Sequence, residues 1–176
     1  MSYAQTESHP RSTGTILLLP FLAIAAALSA LGLLSTTSLV SSWFTSSPRA
    51  DWTPHLSVFT AVWTLVYCAD ALAGWLLLRA RRTSSASGAP LIAYWVQLVL
   101  QAVWLLAFMA QAAVGGTWLW AVFGVIVLLD VVTAAAAISA WRVSRAASVL
   151  LVAVLAWLLF GTVLSGADTL LQVGLP

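Results

Sequence analysis

The chain has 176 residues, of which 62% are hydrophobic and 7% are charged, and its mean hydropathy is +1.02. A soluble domain carries about 25% charged residues, and a disordered chain combines low hydrophobicity with high charge, so composition excludes both. A net charge of +2 from dispersed arginines excludes a nucleic-acid binder as well. Lipid must therefore be the solvent for most of the chain.

Five apolar runs are long enough to cross a bilayer as helices, which takes roughly 20 residues each. They cover approximately residues 16–40, 58–78, 90–112, 117–141 and 147–171, with polar or turn-forming segments between them. The sequence therefore predicts an all-α integral membrane bundle of five transmembrane helices, a single domain over residues 1–176. The first run could instead be a signal peptide, but it exceeds the ~7–15 residues of a signal core.

The arginines predict the orientation of the bundle. The N-terminal tail, the second loop and the fourth loop would share one side of the membrane. That side carries six arginines: Arg11, Arg79, Arg81, Arg82, Arg142 and Arg145. The opposite side carries only Arg49, so the positive-inside rule predicts the N-terminus inside and the C-terminus outside.

Tryptophan is unusually frequent, with ten residues. Seven of them fall near predicted span ends, where a half-apolar ring suits the membrane interface. By helix rise, Trp63, Trp104 and Trp157 lie roughly 8, 12 and 20 Å below the outer edge. Core packing could explain these three, and so could an aromatic pocket for a flat apolar ligand.

The second span carries Trp63, Tyr67, Asp70 and Gly74 at helical spacing on one face. A carboxylate facing lipid would cost about 2.5–3.5 kcal/mol. We therefore expect this face to turn into the bundle. Gln97, Gln101 and Trp104 form a similar polar and aromatic face on the third span.

Asp70 and Asp130 both fall near mid-span, and each is a possible proton carrier or polar anchor for a ligand. The alternative is a structural carboxyl group that is hydrogen-bonded across helices, for example to Thr133, Gln97, Gln101 or Ser165. The single cysteine and two histidines give no cluster with metal-ligand spacing, so no metal site is predicted. Small residues such as Ala23, Ala27, Ala30 and 134–137 permit close helix contact and a possible homodimer.

Three blocks of sequence resemble the TspO/translocator-protein family, the tryptophan-rich sensory proteins also called peripheral benzodiazepine receptors. The first comprises Trp52-Thr53-Pro54, Val58-Phe59 and Trp63-Thr64-Leu65-Val66-Tyr67, which is similar to WxPP…VFxxxWTxLY. The second is Tyr94-Trp95-Val96-Gln97-Leu98 with Trp104, and the third is Arg142 to Ala147 with Leu155-Ala156-Trp157. Together they cover about residues 43–165.

This resemblance implies a five-helix bundle, often dimeric, whose pocket opens toward the first loop and binds porphyrins, sterols or synthetic aromatic ligands. Trp52 and Pro54 would belong to the lid. The predicted ligand-binding residues are Trp52, Pro54, Phe59, Trp63, Tyr67, Gln101, Trp104 and Trp157. No resident cofactor is predicted, although the ligand itself could be a porphyrin or haem-like molecule.

The chain departs from the family pattern at several positions. Gln101 stands for an Asn, Leu106 for a Pro, Ala153-Val154 for PY, Ser165 for an Asn and His55 for the second Pro of the lid. Asp70 and Asp130 stand where the family usually has apolar residues. These departures indicate a divergent member with altered ligand preference.

The sequence thus favours a membrane receptor or carrier for a flat hydrophobic ligand such as a tetrapyrrole or sterol, with a sensory or tetrapyrrole-regulating role. One alternative is a proton-coupled small-molecule transporter that uses Asp70 and Asp130. Another is a tetrapyrrole-degrading membrane enzyme that uses Trp63 and Trp157. The residues leave catalysis open and favour binding.

Overall fold

A computed structural model describes residues 18–34, 38–81, 88–114 and 118–174. Over these residues the chain is helical, with no strand. The helices are α1 (Leu18–Leu34), α2 (Ser38–Ser46), α3 (Leu56–Arg81), α4 (Gly88–Val114), α5 (Trp118–Trp141) and α6 (Arg145–Gln172). The predicted helical membrane bundle is confirmed at this level.

Four helices, α3 to α6, are long and apolar enough to cross a membrane, with 24 to 28 residues each. Each contains one of the last four predicted spans almost entirely, and α3, α4 and α6 run past both predicted ends by one to three residues. Several residues used in the predictions lie outside the described residues: Arg11, Arg82 and the first two residues of the first predicted span, 16 and 17.

The predicted count of five helices differs from the structure in the region of the first predicted span, residues 16–40. The described part of this region contains two helices, α1 with 17 residues and α2 with nine, so the described residues form six helices and not five. Residues 35–37, which separate the two helices along the chain, lie outside the described residues. The second helix also extends to Ser46, beyond the predicted end at Val40.

Several of the main helix contacts join helices that are not consecutive in the chain. Helix α5 lies between α4 and α6, while α3 contacts α1, α4 and α6, and α2 contacts α4. Trp118 donates its indole N–H to the Ala107 carbonyl at 3.0 Å and thereby joins the start of α5 to α4. The core is apolar, but Asp70, Gln97, Gln101 and other polar groups are buried within it.

The hairpin between α5 and α6 is closed by local hydrogen bonds. The amides of Val143 and Ser144 both donate to the Ala140 carbonyl, and the Ser144 hydroxyl accepts from the Ala147 amide at 3.3 Å as the N-cap of α6. One turn further on, the buried Ser148 hydroxyl donates to the Ala137 carbonyl at 2.7 Å. The two helices therefore diverge from a fixed turn.

Candidate functional site

The inward face predicted for the second span is buried. Trp63, Tyr67, Asp70 and Gly74 all lie in the interior of α3, as the cost of exposing a carboxylate to lipid requires. The corresponding face of α4 buries Gln97, Gln101 and Trp104. The two faces meet, and they form an upper aromatic region and a lower polar one.

The upper region is a continuous row of aromatic rings, which we call the aromatic ladder. Its rings succeed one another with centroids 5.0 to 6.3 Å apart, within the usual range for aromatic pairs. In order they are Tyr67, Trp63, Trp104, Phe108, Phe59, Trp157, Phe160 and Trp52. The closest pair is Trp63 and Trp104, which stack at 5.0 Å with 23° between their planes.

Two small cavities flank the middle of the ladder, separated by the rings of Phe59, Trp104 and Phe108, which line both. The first, of about 20 Å³, lies toward α1 and is also lined by Trp63 and Tyr67. The second, of about 30 Å³, lies toward α6. Each has room for one or two water molecules, so the rings themselves fill the space between the helices.

The three deep tryptophans share one chemical feature. The indole nitrogens of Trp63, Trp104 and Trp157 are all buried and have no hydrogen-bond partner in the described structure. Trp63 and Trp104 are themselves only 6% and 3% exposed. A buried donor left unpaired costs about 1–3 kcal/mol. The ladder therefore presents hydrogen-bond donors that a group with acceptor atoms could satisfy.

The other predicted ligand-binding residues are more dispersed. Trp157 lies in the ladder beyond Phe59 and does not line the first cavity. Trp52 is half exposed at the outer end of the ladder, edge-on to Phe160 at 5.9 Å, and Pro54 is half-buried in the loop after it. Gln101 is buried below the first cavity and contacts Asp70.

Asp70 is the centre of the lower polar region. Its two carboxylate oxygens accept from the side-chain amides of Gln97 at 2.9 Å and Gln101 at 2.6 Å. The amide oxygens of both glutamines are buried without a partner in the described structure. The geometry matches the structural alternative, a carboxyl group that ties α3 to α4, and it leaves two unused acceptors beside it.

Asp130 bonds a different helix. One carboxylate oxygen accepts from the Thr162 hydroxyl of α6 at 2.6 Å, and the other is buried without a partner. Thr133, a suggested partner from the sequence, donates instead to the Leu129 carbonyl of its own helix. Asp70 and Asp130 therefore belong to separate hydrogen-bond groups.

The loop between α2 and α3 is tied to the last helix by a partly buried ion pair that sequence reasoning missed. The Arg49 Nη1 donates to the Asp168 carboxylate at 2.8 Å, and the amide of Ala50 donates to the other oxygen at 3.0 Å. Arg49 Nε donates to the Phe44 carbonyl at the end of α2, and its guanidinium lies over the Trp43 and Phe44 rings. Burial lowers the pKa of Arg49, and the charge of Asp168 opposes that shift.

Phe108, Leu56, Thr60 and Thr64 also line the first cavity and were not predicted. Phe108 could have been found, since it follows Trp104 by one helical turn on the face of Gln97 and Gln101. Arg49 and Asp168 carried a weaker signal, an arginine and an acid that both fall at the outer ends of their segments.

Comparison with known protein families matches residues 19–168 to the TspO/MBR family. The match begins in α1 and ends at Asp168, so it includes the whole ladder and the Arg49–Asp168 pair. No curated protein matches the chain.

Proposed function

The chain belongs to the TspO/MBR family, and from this premise we propose that it is a membrane receptor or carrier for a flat hydrophobic ligand with acceptor atoms, such as a porphyrin, another tetrapyrrole or a sterol. The observation that carries the proposal is the set of three buried indole N–H groups in the ladder without a partner in the described structure: two on the adjacent rings of Trp63 and Trp104, and a third on Trp157 beyond Phe108 and Phe59. A porphyrin offers both an aromatic face for stacking and carboxylate oxygens for these donors.

Binding requires the ladder to open. Ligand pockets have volumes of about 300–1,000 Å³, whereas the two cavities hold about 20 and 30 Å³. A groove of about 480 Å³ lies on the outer surface between α1, α2 and the start of α3. It shares Leu56, Thr60 and Thr64 with the first cavity. The ligand would therefore enter from this groove and part Trp63 from Trp104.

Titration of purified protein in detergent with protoporphyrin, followed by the shift of the porphyrin absorption band, tests the proposal. We expect saturable binding that Trp63→Ala and Trp157→Ala weaken. Ser29→Phe should also weaken it, because Ser29 lines the first cavity. The matched control is Trp141→Ala, a tryptophan that is exposed at the far end of α5.

An equal loss in the control variant would mean that the porphyrin merely adheres to exposed tryptophans. Absence of saturable binding to any tetrapyrrole or sterol would contradict the proposal altogether. Melting temperatures of all variants separate lost binding from lost folding.

A second candidate function is proton-coupled transport through Asp70. The unpaired amide oxygens of Gln97 and Gln101 favour it, since they could accept from a protonated or donor-bearing partner beside the carboxylate. Asp70→Asn should then abolish pH-driven flux in proteoliposomes while ligand binding persists. Unchanged flux would leave Asp70 a structural residue.

Catalysis would instead require a modified tetrapyrrole in mass spectra, lost in a Trp63/Trp157 double variant.

We further propose that α1 and α2 together provide a fifth crossing and that the arginine-rich end faces the cytoplasm. Alternation of the helices brings Arg79, Arg81, Arg142 and Arg145 to one end of the bundle and Arg49 to the other. Reporter enzymes fused to the C-terminus, active only on one side of the membrane, test this orientation.

A homodimer would use the exposed small residues Ala23, Ala27 and Ala30 of α1, and cysteine cross-linking there would detect it.

A further inference from the structure

A surface groove lies where α5 and α6 diverge from their connecting turn, and none of its lining residues belongs to the ladder. It has a volume of about 470 Å³. Ala134, Ala137, Ile138 and Trp141 line it from α5, and Ser148, Val152 and Leu155 line it from α6. These positions recur every three or four residues, so one face of each helix forms each wall.

Side-chain size creates the groove. The small side chains of Ala134 and Ala137 form the floor of the groove. The hydrogen bond from Ser148 to the Ala137 carbonyl holds the two helices together beneath it. Ile138 is 74% exposed and Val152 54% exposed, and they form raised apolar edges. From Ala134 to Trp141 the groove is roughly 10 Å long by helix rise, which suits part of an extended hydrocarbon chain.

The end of the groove at the connecting turn is positively charged. Arg142 lines the groove there, and no acidic residue does among its described lining residues. Arg145 lies over the Trp141 ring at 5.5 Å. The negative end of the α5 dipole and the positive end of the α6 dipole meet at the same turn and offset each other, so the positive charge there comes from the two arginines. Arginine is well suited to phosphate oxygens, which its guanidinium can bind through two donors.

We propose that this groove binds one acyl chain of an anionic phospholipid whose headgroup phosphate contacts Arg142. The charge and the apolar groove occur together at a membrane edge that Trp141 marks as interfacial. The site is independent of the ladder and of whatever ligand the ladder takes.

Native mass spectrometry of the purified chain, with dioleoyl phosphatidylglycerol and dioleoyl phosphatidylcholine compared, tests the proposal because the two lipids differ only in the headgroup. We expect one phosphatidylglycerol to be retained preferentially. Arg142→Gln should weaken it about fivefold, the effect of about one arginine near a charged membrane surface. Ala134→Leu, which fills the groove without removing charge, should weaken it as well.

Arg81→Gln is the matched control, an exposed arginine at the end of α3 outside the groove. Equal losses in Arg81→Gln and Arg142→Gln would overturn the proposal in favour of diffuse attraction. If Ala134→Leu bound phosphatidylglycerol as well as the unmodified chain does, the acyl chain would not lie in the groove. The same would follow if glycerol phosphate, which has no acyl chain, displaced the lipid as well as phosphatidylglycerol does. Splitting of a dimer by Ala134→Leu would assign the groove to a second copy of the chain.

Discussion

Gly74 allows the closest approach between α3 and its neighbours, and replacing it tests how tightly the bundle is packed. A Cβ atom at this position would lie 2.5 Å from the Tyr94 hydroxyl and 2.7 Å from the Phe21 ring. Real Cβ atoms essentially never approach so closely, and Tyr94 cannot move aside easily because it is buried between Phe21 and Trp95. Gly74→Ala must therefore displace α1 or α4.

Two opposing effects determine how much Gly74→Ala changes the free energy of unfolding. Overpacking a well-packed core typically costs about 1–3 kcal/mol, while alanine in place of glycine within a helix recovers about 0.5–1 kcal/mol. We expect a net loss of about 1–2 kcal/mol in the free energy of unfolding, measured by denaturant titration in mixed micelles. Gly124→Ala is the control, since a Cβ there has no atom within 4 Å, and it should be neutral or slightly stabilising.

If Gly74→Ala were as stable as Gly124→Ala, the close packing of α1, α3 and α4 would be refuted. A further check uses the background Tyr94→Leu, in which the Tyr94 ring, one of the two rings that the new methyl group would meet, is gone and that of Phe21 remains. In that background Gly74→Ala should cost much less, and a cost that stays the same would point to a cause other than this contact.

Three further predictions concern hydrogen bonds. Asp168→Asn should lower the free energy of unfolding by about 1.5–3 kcal/mol, because the partly buried Arg49 loses its charged acceptor. A double variant with Arg49→Gln should recover part of the loss in thermal melting. Gln101→Leu should cost about 1–3 kcal/mol in the same assay, because Asp70 loses its 2.6 Å donor. Ser148→Ala should cost about 1 kcal/mol, whereas Ser139→Ala, whose hydroxyl bonds only its own helix, should leave the melting temperature unchanged.

The positions of the long helices and the faces that they turn inward could be predicted from the sequence, because exposing a polar group to lipid costs free energy. Asp70 could not face hydrocarbon, and its helical neighbours Trp63 and Tyr67 had to turn inward with it. The same reasoning located Gln97 and Gln101 correctly in the interior. The extent of α2 to Ser46 could not be predicted, since hydropathy averaged over a window does not register a helix that continues through polar residues.

Contacts between distant segments could not be predicted. Thr162 as the partner of Asp130, and Asp168 as the partner of Arg49, depend on the rotation and depth of α6 relative to the rest of the bundle. Nor does a sequence indicate that the aromatic residues fill their own pocket. That outcome depends on ring-to-ring packing, which spacing along single helices does not specify.

The Arg49–Asp168 pair has a consequence for the order of assembly. Its two residues are 119 positions apart, so the loop after α2 leaves the ribosome well before its partner has been made. At about 5–20 residues per second, translation of the intervening chain takes about 6–24 s. During that interval Arg49 has no counter-charge from Asp168, and the loop can be seated only after α6 has inserted. Synthesis of the last helix thus determines when the loop after α2 is first held against the bundle.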